Sequence, residues 1–305
     1  MTLALIAGQG ALPPHLVKIL RARAEVPLVC ELEQFPSDIV DMVPRLSFRL
    51  EQLGSLLKIL SEAKVTDICM AGAVRRPAVD PSRIDAATLP LVPRVMAALA
   101  KGDDGSLRVL IELFEEVGIN VIGATEIDPD LLPQSGILGP VEVPSDLDGD
   151  LQAAEGALSA MGAKDLGQSV VVRDGDVLAR EDDAGTDAML DALAPGQGPT
   201  SDDPLDVVGD MLDSVADWLS GPEAEAARQN APAQGAILYK APKPGQELRV
   251  DMPVIGPQTI LRAARAGLRG LVIADRGVMV LERDKVVQHL AEQGLFLWVR
   301  PGQGA

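Results

Sequence analysis

"LIAGQGALPPHL", residues 5–16, decides how the first half of the chain is read: an apolar run passes through Gly8-Gln9-Gly10 into a helix-like segment. A strand, a glycine turn and a helix in that order are where α/β proteins bring main-chain N–H groups to an anion. The stretch is not a dinucleotide fingerprint, because Pro13 stands at the third glycine position, although Glu31 lies near the distance expected of a ribose-binding acid. It is not a P-loop either, since no Gly-Lys-Ser/Thr follows. A ligand-contacting turn and a plain structural turn both stay open from these residues alone.

Working outward, apolar strand-like runs recur at LALIAG (3–8), PLVCEL (27–32), LSFRL (46–50), DICMAG (67–72) and NVIGAT (120–125). Helix-period segments lie between them, at 15–24, 51–63, about 88–101 and 104–117. Apolar strands spaced by helices predict parallel pairing through right-handed crossovers. The expected fold class is therefore α/β, with a Rossmann-like N-terminal domain over 1–130. The Pro/Gly-rich run IDPDLLPQSGILGPVEVPSD (127–146) predicts a linker over 131–146.

Residues 147–305 read as a second, α+β domain with a mixed sheet. SVVVRDGDVLARE (169–181) carries a hairpin signal around Asp174-Gly175. A short helix, GTDAMLDAL (185–193), follows with Thr186 at its N-cap position. AILYKA (236–241) and LRVDMPVIG (248–256) read as strands, 259–267 as a helix and LVIADRGVMVLE (271–282) as a hairpin. A helix at 284–293 and a strand at 295–300 close the domain. An acidic, Pro/Gly-rich insertion spans 195–235; within it Val208, Met211, Leu212, Val215 and Trp218 share a helical face that predicts packing on the domain.

Composition narrows the function. The formal net charge is -18, with 4 Phe, 2 Trp and 1 Tyr, so neither the basic face nor the stacking aromatics of a nucleic-acid binder is available. Cys30 and Cys69 sit in apolar runs and read as core thiols of a reduced cytosolic protein. No stretch approaches the roughly 20 apolar residues that span a bilayer, and no leader pattern opens the chain, so a cytoplasmic location is expected.

Two histidines, His15 and His289, both in helix patterns, leave little for histidine chemistry or a zinc site. Carboxylates cluster instead at element ends: Asp103-Asp104, Glu181-Asp182-Asp183 with Asp187, and Asp251. Oxygen ligands of this kind suit Mg²⁺, which keeps several waters and bridges to substrate phosphates. Asp251, flanked by Val250 and Met252, would need a partner if buried. Arg75-Arg76 follow a strand, and Lys240, Lys243 and Arg249 form a second basic cluster. In so acidic a chain these clusters point to a phosphate-bearing ligand.

Together, IAGQGALP (6–13), AGAVRRP (71–77), GDD (102–104), DLGQSVVV (165–172), AGTDAML (184–190) and above all KAPKPGQELRVDMPVIGP (240–257) resemble the UDP-2,3-diacylglucosamine pyrophosphatases of the LpxI type. The likeness runs nearly end to end; the 195–235 stretch is longer than it implies between AGTDAML and KAPKPG. The resemblance implies a two-domain enzyme of Gram-negative lipid A biosynthesis. It hydrolyses the substrate's pyrophosphate to UMP and 2,3-diacylglucosamine 1-phosphate with Mg²⁺, and holds the lipid product between its domains. The family's essential acid maps onto Asp251, and Mg²⁺ ligation is expected of Asp251 with Asp187 or Glu181. Lys240, Lys243 and Arg249 are the expected charge-neutralising catalytic residues. Substrate contacts are expected of Gly8, Gln9, Gly10, Ala11, Leu12, Ala73, Val74, Arg75, Arg76, Asp104, Thr125, Gln168, Thr186 and Gln246. Peripheral contact with the inner membrane and a homodimer complete this expectation. An NAD-dependent oxidoreductase, resting on the α/β first domain and Glu31, and a non-catalytic nucleotide-sugar or lipid binder are the alternative classes.

Overall fold

The computed structural model describes residues 2–74, 78–99, 103–164, 166–195 and 231–302, the side chains of residues 99, 103 and 104 excepted. The helix expected within 195–235, carrying Val208 to Trp218, lies outside them. The chain forms two compact units: Met1–Leu131 with Gly245–Met252, and Leu132–Pro244 with Pro253–Ala305.

In the first unit β1 (Leu3–Ala7), β2 (Leu28–Leu32), β3 (Arg45–Phe48), β4 (Asp67–Ala71) and β5 (Asn120–Ile122) form an all-parallel sheet of order β3-β2-β1-β4-β5. Such a sheet is covered on both faces, which is why its strands are near-continuous apolar runs rather than alternating ones. The helices are α1 (Leu12–Ala22), α2 (Leu53–Glu62), α3 (Val92–Leu99), α4 (Asp103–Glu116) and α5 (Ala124–Ile127). Leu53, Leu56, Leu57 and Leu60 of α2 and Ile111, Leu113 and Phe114 of α4 pack with Cys30, Ile68 and Val121 in one aliphatic core. Helix α1 begins three residues before its expected start, because Pro13 and Pro14 fit a first turn whose N–H groups need no helical partner.

The second unit contains α6 (Asp148–Gly162), α7 (Gly185–Ala192), α8 (Pro257–Arg265) and α9 (Arg283–Gln293). Its mixed sheet joins β6 (Gly136–Leu138), β7 (Ser169–Arg173), β8 (Asp176–Arg180), β9 (Ile237–Lys240), β11 (Gly270–Ala274) and β13 (Phe296–Arg300) in the order β6-β13-β11-β9-β7-β8. Strands β9, β11 and β13 are parallel, while β6, β7 and β8 join antiparallel. Strand β6 lies inside the Pro/Gly-rich stretch read as a linker. The period of two sorts the side chains by face: Val171, Leu238, Leu271, Ile273, Leu297 and Val299 meet α7, α8 and α9. Val170, Val172, Ile237, Tyr239 and Phe296 meet α6.

The β7–β8 hairpin forms as expected, turning through Asp174 (φ 54°) and Gly175 (φ 82°), as a primed turn requires. Three expectations are corrected. LVIADRGVMVLE is no hairpin: β12 (Met279–Val280) leaves β11 and pairs in parallel with β10 (Val254–Ile255). LRVDMPVIG forms a strand only at those two residues, because backbone N–H groups of Val250 and Asp251 turn back onto the Glu247 carbonyl and Pro253 has none to donate. Ala184, not Thr186, caps α7, and no side chain bonds at that cap.

Candidate active site

The sheet order reverses between β1 and β4, the topological switch point where open α/β sheets hold ligands. There the two loops are laced together. Gly8 N–H donates to the Ala71 carbonyl at 2.8 Å, Gln9 N–H to Ala73 at 2.9 Å and Ala73 N–H back to Gln9 at 2.8 Å. Gly8 is glycine because a Cβ would stand 2.5 Å from the Ala73 oxygen. The next amide, Gly10 N–H, is capped by the Asp38 carboxylate at 2.6 Å. Pro13 and Pro14 have no N–H at all. The main-chain N–H groups of Gly8, Gln9 and Gly10, read as an anion cradle, are thus bonded to internal acceptors, while Gln9, Gly10 and Ala11 themselves are exposed. Thr125 sits in α5; beside it His15 Nε2 lies 2.6 Å from Asp128 Oδ2. Glu31 is engaged by Arg45 at 2.8 Å and by Ser37. Arg75, Arg76 and Gly102 lie outside the described residues, as does the Asp104 side chain.

Asp251 belongs to this unit through the Gly245–Met252 loop. The loop is fastened by charge. Arg249 forks onto Glu247, with Nε to Oε1 and Nη2 to Oε2 both at 2.9 Å, and reaches Glu115 of α4 at 3.0 Å. Arg108 donates to the Gly245 carbonyl, and Val250 packs on the apolar core. Hydrogen bonding to Glu247, more than the pair with Glu115, raises the Arg249 pKa further, and the same bond lowers that of Glu247. Half-buried, Asp251 takes the side-chain amide of Gln246 on Oδ2 at 2.6 Å, and that amide also donates to the Asp251 carbonyl. The need for a partner, read from the sequence, is met by Gln246.

The second unit carries the other cluster. Lys240 ends β9 and is only 5% exposed; its Nζ donates to Thr186 Oγ1 at 2.6 Å and stands 4.0 Å from Glu181 Oε2. Gln168 contributes its main-chain N–H to Glu181 at 3.1 Å and its carbonyl to Ala241 N–H. Asp187 pairs with Arg262 at 3.1 Å. Lys243, half-buried, approaches the end of α6 at Gly162.

No three His, Cys, Asp or Glu side chains are grouped as a metal cage would require, among the described residues. Mg²⁺ needs no cage; one or two carboxylates and substrate phosphates complete its shell. Asp251, which accepts the Gln246 amide on Oδ2, is a carboxylate of that kind; Glu181 stands 4.0 Å from Lys240, and Asp187 pairs with Arg262. Glu115, Glu247 and Ser169 support these groups and were not singled out from the sequence. For Glu247 the signal was present, a carboxylate two positions from Arg249. Nothing local marks Glu115.

Two α/β units, with a parallel switch-point sheet in one and a buried lysine–hydroxyl–carboxylate group in the other, set the class. Residues 2–131 match the LpxI N-terminal domain and residues 134–298 the LpxI C-terminal domain. The UDP-2,3-diacylglucosamine pyrophosphatase LpxI of Caulobacter vibrioides is 35% identical over 295 residues, covering 97% of this chain and 96% of the relative. The chain belongs to the LpxI family, and with it to the hydrolases. Among the described residues no helix is long and apolar enough to cross a membrane.

Proposed function

We propose that the protein hydrolyses the pyrophosphate of UDP-2,3-diacylglucosamine to UMP and 2,3-diacylglucosamine 1-phosphate. The observation that carries this reading is the near full-length identity to a pyrophosphatase of that name, at 35% over 97% of the chain. A water oxygen forms a bond to one phosphorus as the bond from that phosphorus to the bridging oxygen breaks. The bridging oxygen leaves with the other phosphate, and the water gives up its proton. Positioning and charge neutralisation supply most of the catalysis in such transfers.

Asp251 is the acid on which the reaction depends, oriented by Gln246. Lys240 and Lys243 neutralise phosphate charge. Arg249, fastened to Glu247 and Glu115, serves that end by holding the Asp251 loop. Mg²⁺ would be held by Asp251 and would supply charge neutralisation at the pyrophosphate. The Gly8–Leu12 turn, Ala73, Val74, Arg75, Arg76, Asp104, Thr125 and Gln168 contribute to substrate binding. A diacylated substrate is drawn from a membrane, so a cytoplasmic location with peripheral inner-membrane contact accompanies this reading. A homodimer is a separate part of it, checked by light scattering.

The test is UMP release from UDP-2,3-diacylglucosamine with Mg²⁺ or EDTA, beside a folded Asp251→Ala variant. Mg²⁺-dependent UMP from the parent and none from the variant supports the proposal. Absence of UMP from well-folded parent protein sinks it and favours ligand binding without turnover.

A further inference from the structure

Ser169 and Lys240 stand directly opposite one another on β7 and β9. Opposed residues of an antiparallel pair project on the same face of the sheet. That face is the one covered by α7, and the first turn of α7 brings Thr186 onto both. Thr186 Oγ1 lies 2.6 Å from Lys240 Nζ and 3.1 Å from Ser169 Oγ. Ser169 is fully buried and Lys240 nearly so.

The donor inventory gives this group a direction. An ammonium only donates, so Thr186 accepts from Lys240 and its own hydroxyl hydrogen is available to Ser169. Glu181, whose main-chain N–H is bonded to the Ser169 carbonyl at 3.0 Å, sets a carboxylate on the same amine at 4.0 Å. A long flexible lysine stem ordinarily leaves its charge mobile; here the Thr186 hydroxyl, itself bonded to Ser169, and the Glu181 carboxylate hold it at the end of a strand.

We propose that Ser169 and Thr186 are positioning residues for the Lys240 ammonium, holding it where it neutralises phosphate charge. This rests on the pyrophosphatase reading. A charge fixed in advance acts on the transition state more than on the bound ground state. Losing the Thr186 hydroxyl should therefore lower kcat more than it changes KM.

The experiment compares initial rates of UMP release and thermal unfolding for the parent, Thr186→Val, Thr186→Ser and Ser169→Ala. The expected result for Thr186→Val is a kcat lower by about tenfold with KM within about twofold. Thr186→Ser, which restores the hydroxyl, should return kcat to within about threefold of the parent, and Ser169→Ala should lower it by about threefold. A folded Thr186→Val with parental kcat, or a Thr186→Ser as impaired as Thr186→Val, overturns the proposal. Should Thr186→Val fail to fold, Ser169→Ala decides by the same kcat criterion. A parent that releases no UMP overturns the pyrophosphatase reading itself; a parent that turns over beside unaffected variants overturns this inference alone.

Discussion

Arg249 and Glu115, 134 positions apart in the chain, meet at 3.0 Å between Nη1 and Oε1. That pair joins a loop from late in the sequence to α4 of the first unit, and with the loop comes Asp251. Both side chains are substantially exposed, 38% for Arg249 and 45% for Glu115, so the pair by itself contributes little to stability. The loop is held by several contacts acting together: the Arg249–Glu247 fork, the Arg108 bond to the Gly245 carbonyl and the apolar seat of Val250.

Glu247 gives this arrangement a pH signature. Its carboxyl is held below its ordinary value of 4.5, first by the hydrogen bond from Arg249. A carboxyl with a depressed folded pKa adds stability that is complete above its unfolded pKa and is lost as pH falls through the folded one. Glu247→Gln should therefore have a lower urea midpoint than the parent at neutral pH. The difference should be constant down to about pH 5 and narrow below about pH 4. A gap that does not change with pH would deny the ionised pair its role.

The switch-point glycines should separate by mechanism. At Gly8 a Cβ meets the Ala73 carbonyl oxygen at 2.5 Å, whereas at Gly10 it meets nothing within 4 Å and only the φ of +98° opposes it. Gly8→Ala must push two laced loops apart, at about 1–3 kcal/mol or more. Gly10→Ala should cost about 1 kcal/mol of backbone strain. Denaturant unfolding of the two variants checks the order, which would be reversed if the lacing were loose.

Most strands and helices were legible because each follows from local pattern, an apolar run of about five residues or a helical period between turns. The loop around Asp251 was not. An alternation such as Leu248, Val250 and Met252 reads as a strand, yet Gly245 at φ +77°, Pro253 and the charges of Arg249 and Glu247 make it a turn. Its place in the first unit depends on Glu115 and Arg108, more than a hundred positions away, and no periodicity carries that. Pro13 and Pro14 remove two N–H groups from the start of α1, and that much of the weakness of an anion cradle at Gly8–Gly10 is legible in the sequence. The capture of Gly10 N–H by Asp38 could not have been read from the sequence.

The cysteines should be silent in the native protein. Burial, with a smaller push from a neighbouring glutamate in each case, raises both the Cys30 and Cys69 thiols to about 12. The thiolate is the reactive form, so it is scarce at neutral pH. A disulfide-exchange reagent at pH 8 should detect neither thiol before denaturation and both of them, Cys30 and Cys69, afterwards. Rapid native labelling at either position would mean that its strand opens readily.

Gln246 is the most direct test of how Asp251 is set. Its amide spans the Asp251 carboxylate, at 2.6 Å to Oδ2, and the Asp251 carbonyl, so one side chain fixes both the acid's orientation and the turn that carries it. Gln246→Leu keeps the bulk and removes both donors. Gln246→Glu keeps the shape and sets a second carboxylate against the first. Groups that orient a functional carboxylate typically change activity by about 10–100-fold when lost, and UMP release should fall by that much in Gln246→Leu. It should fall further in Gln246→Glu, where like charges also repel. Rates read beside thermal unfolding keep the two effects apart, because a loss of orientation lowers the rate of protein that is still folded at the assay temperature. An unchanged rate in Gln246→Leu would show that Asp251 needs no orientation from this amide.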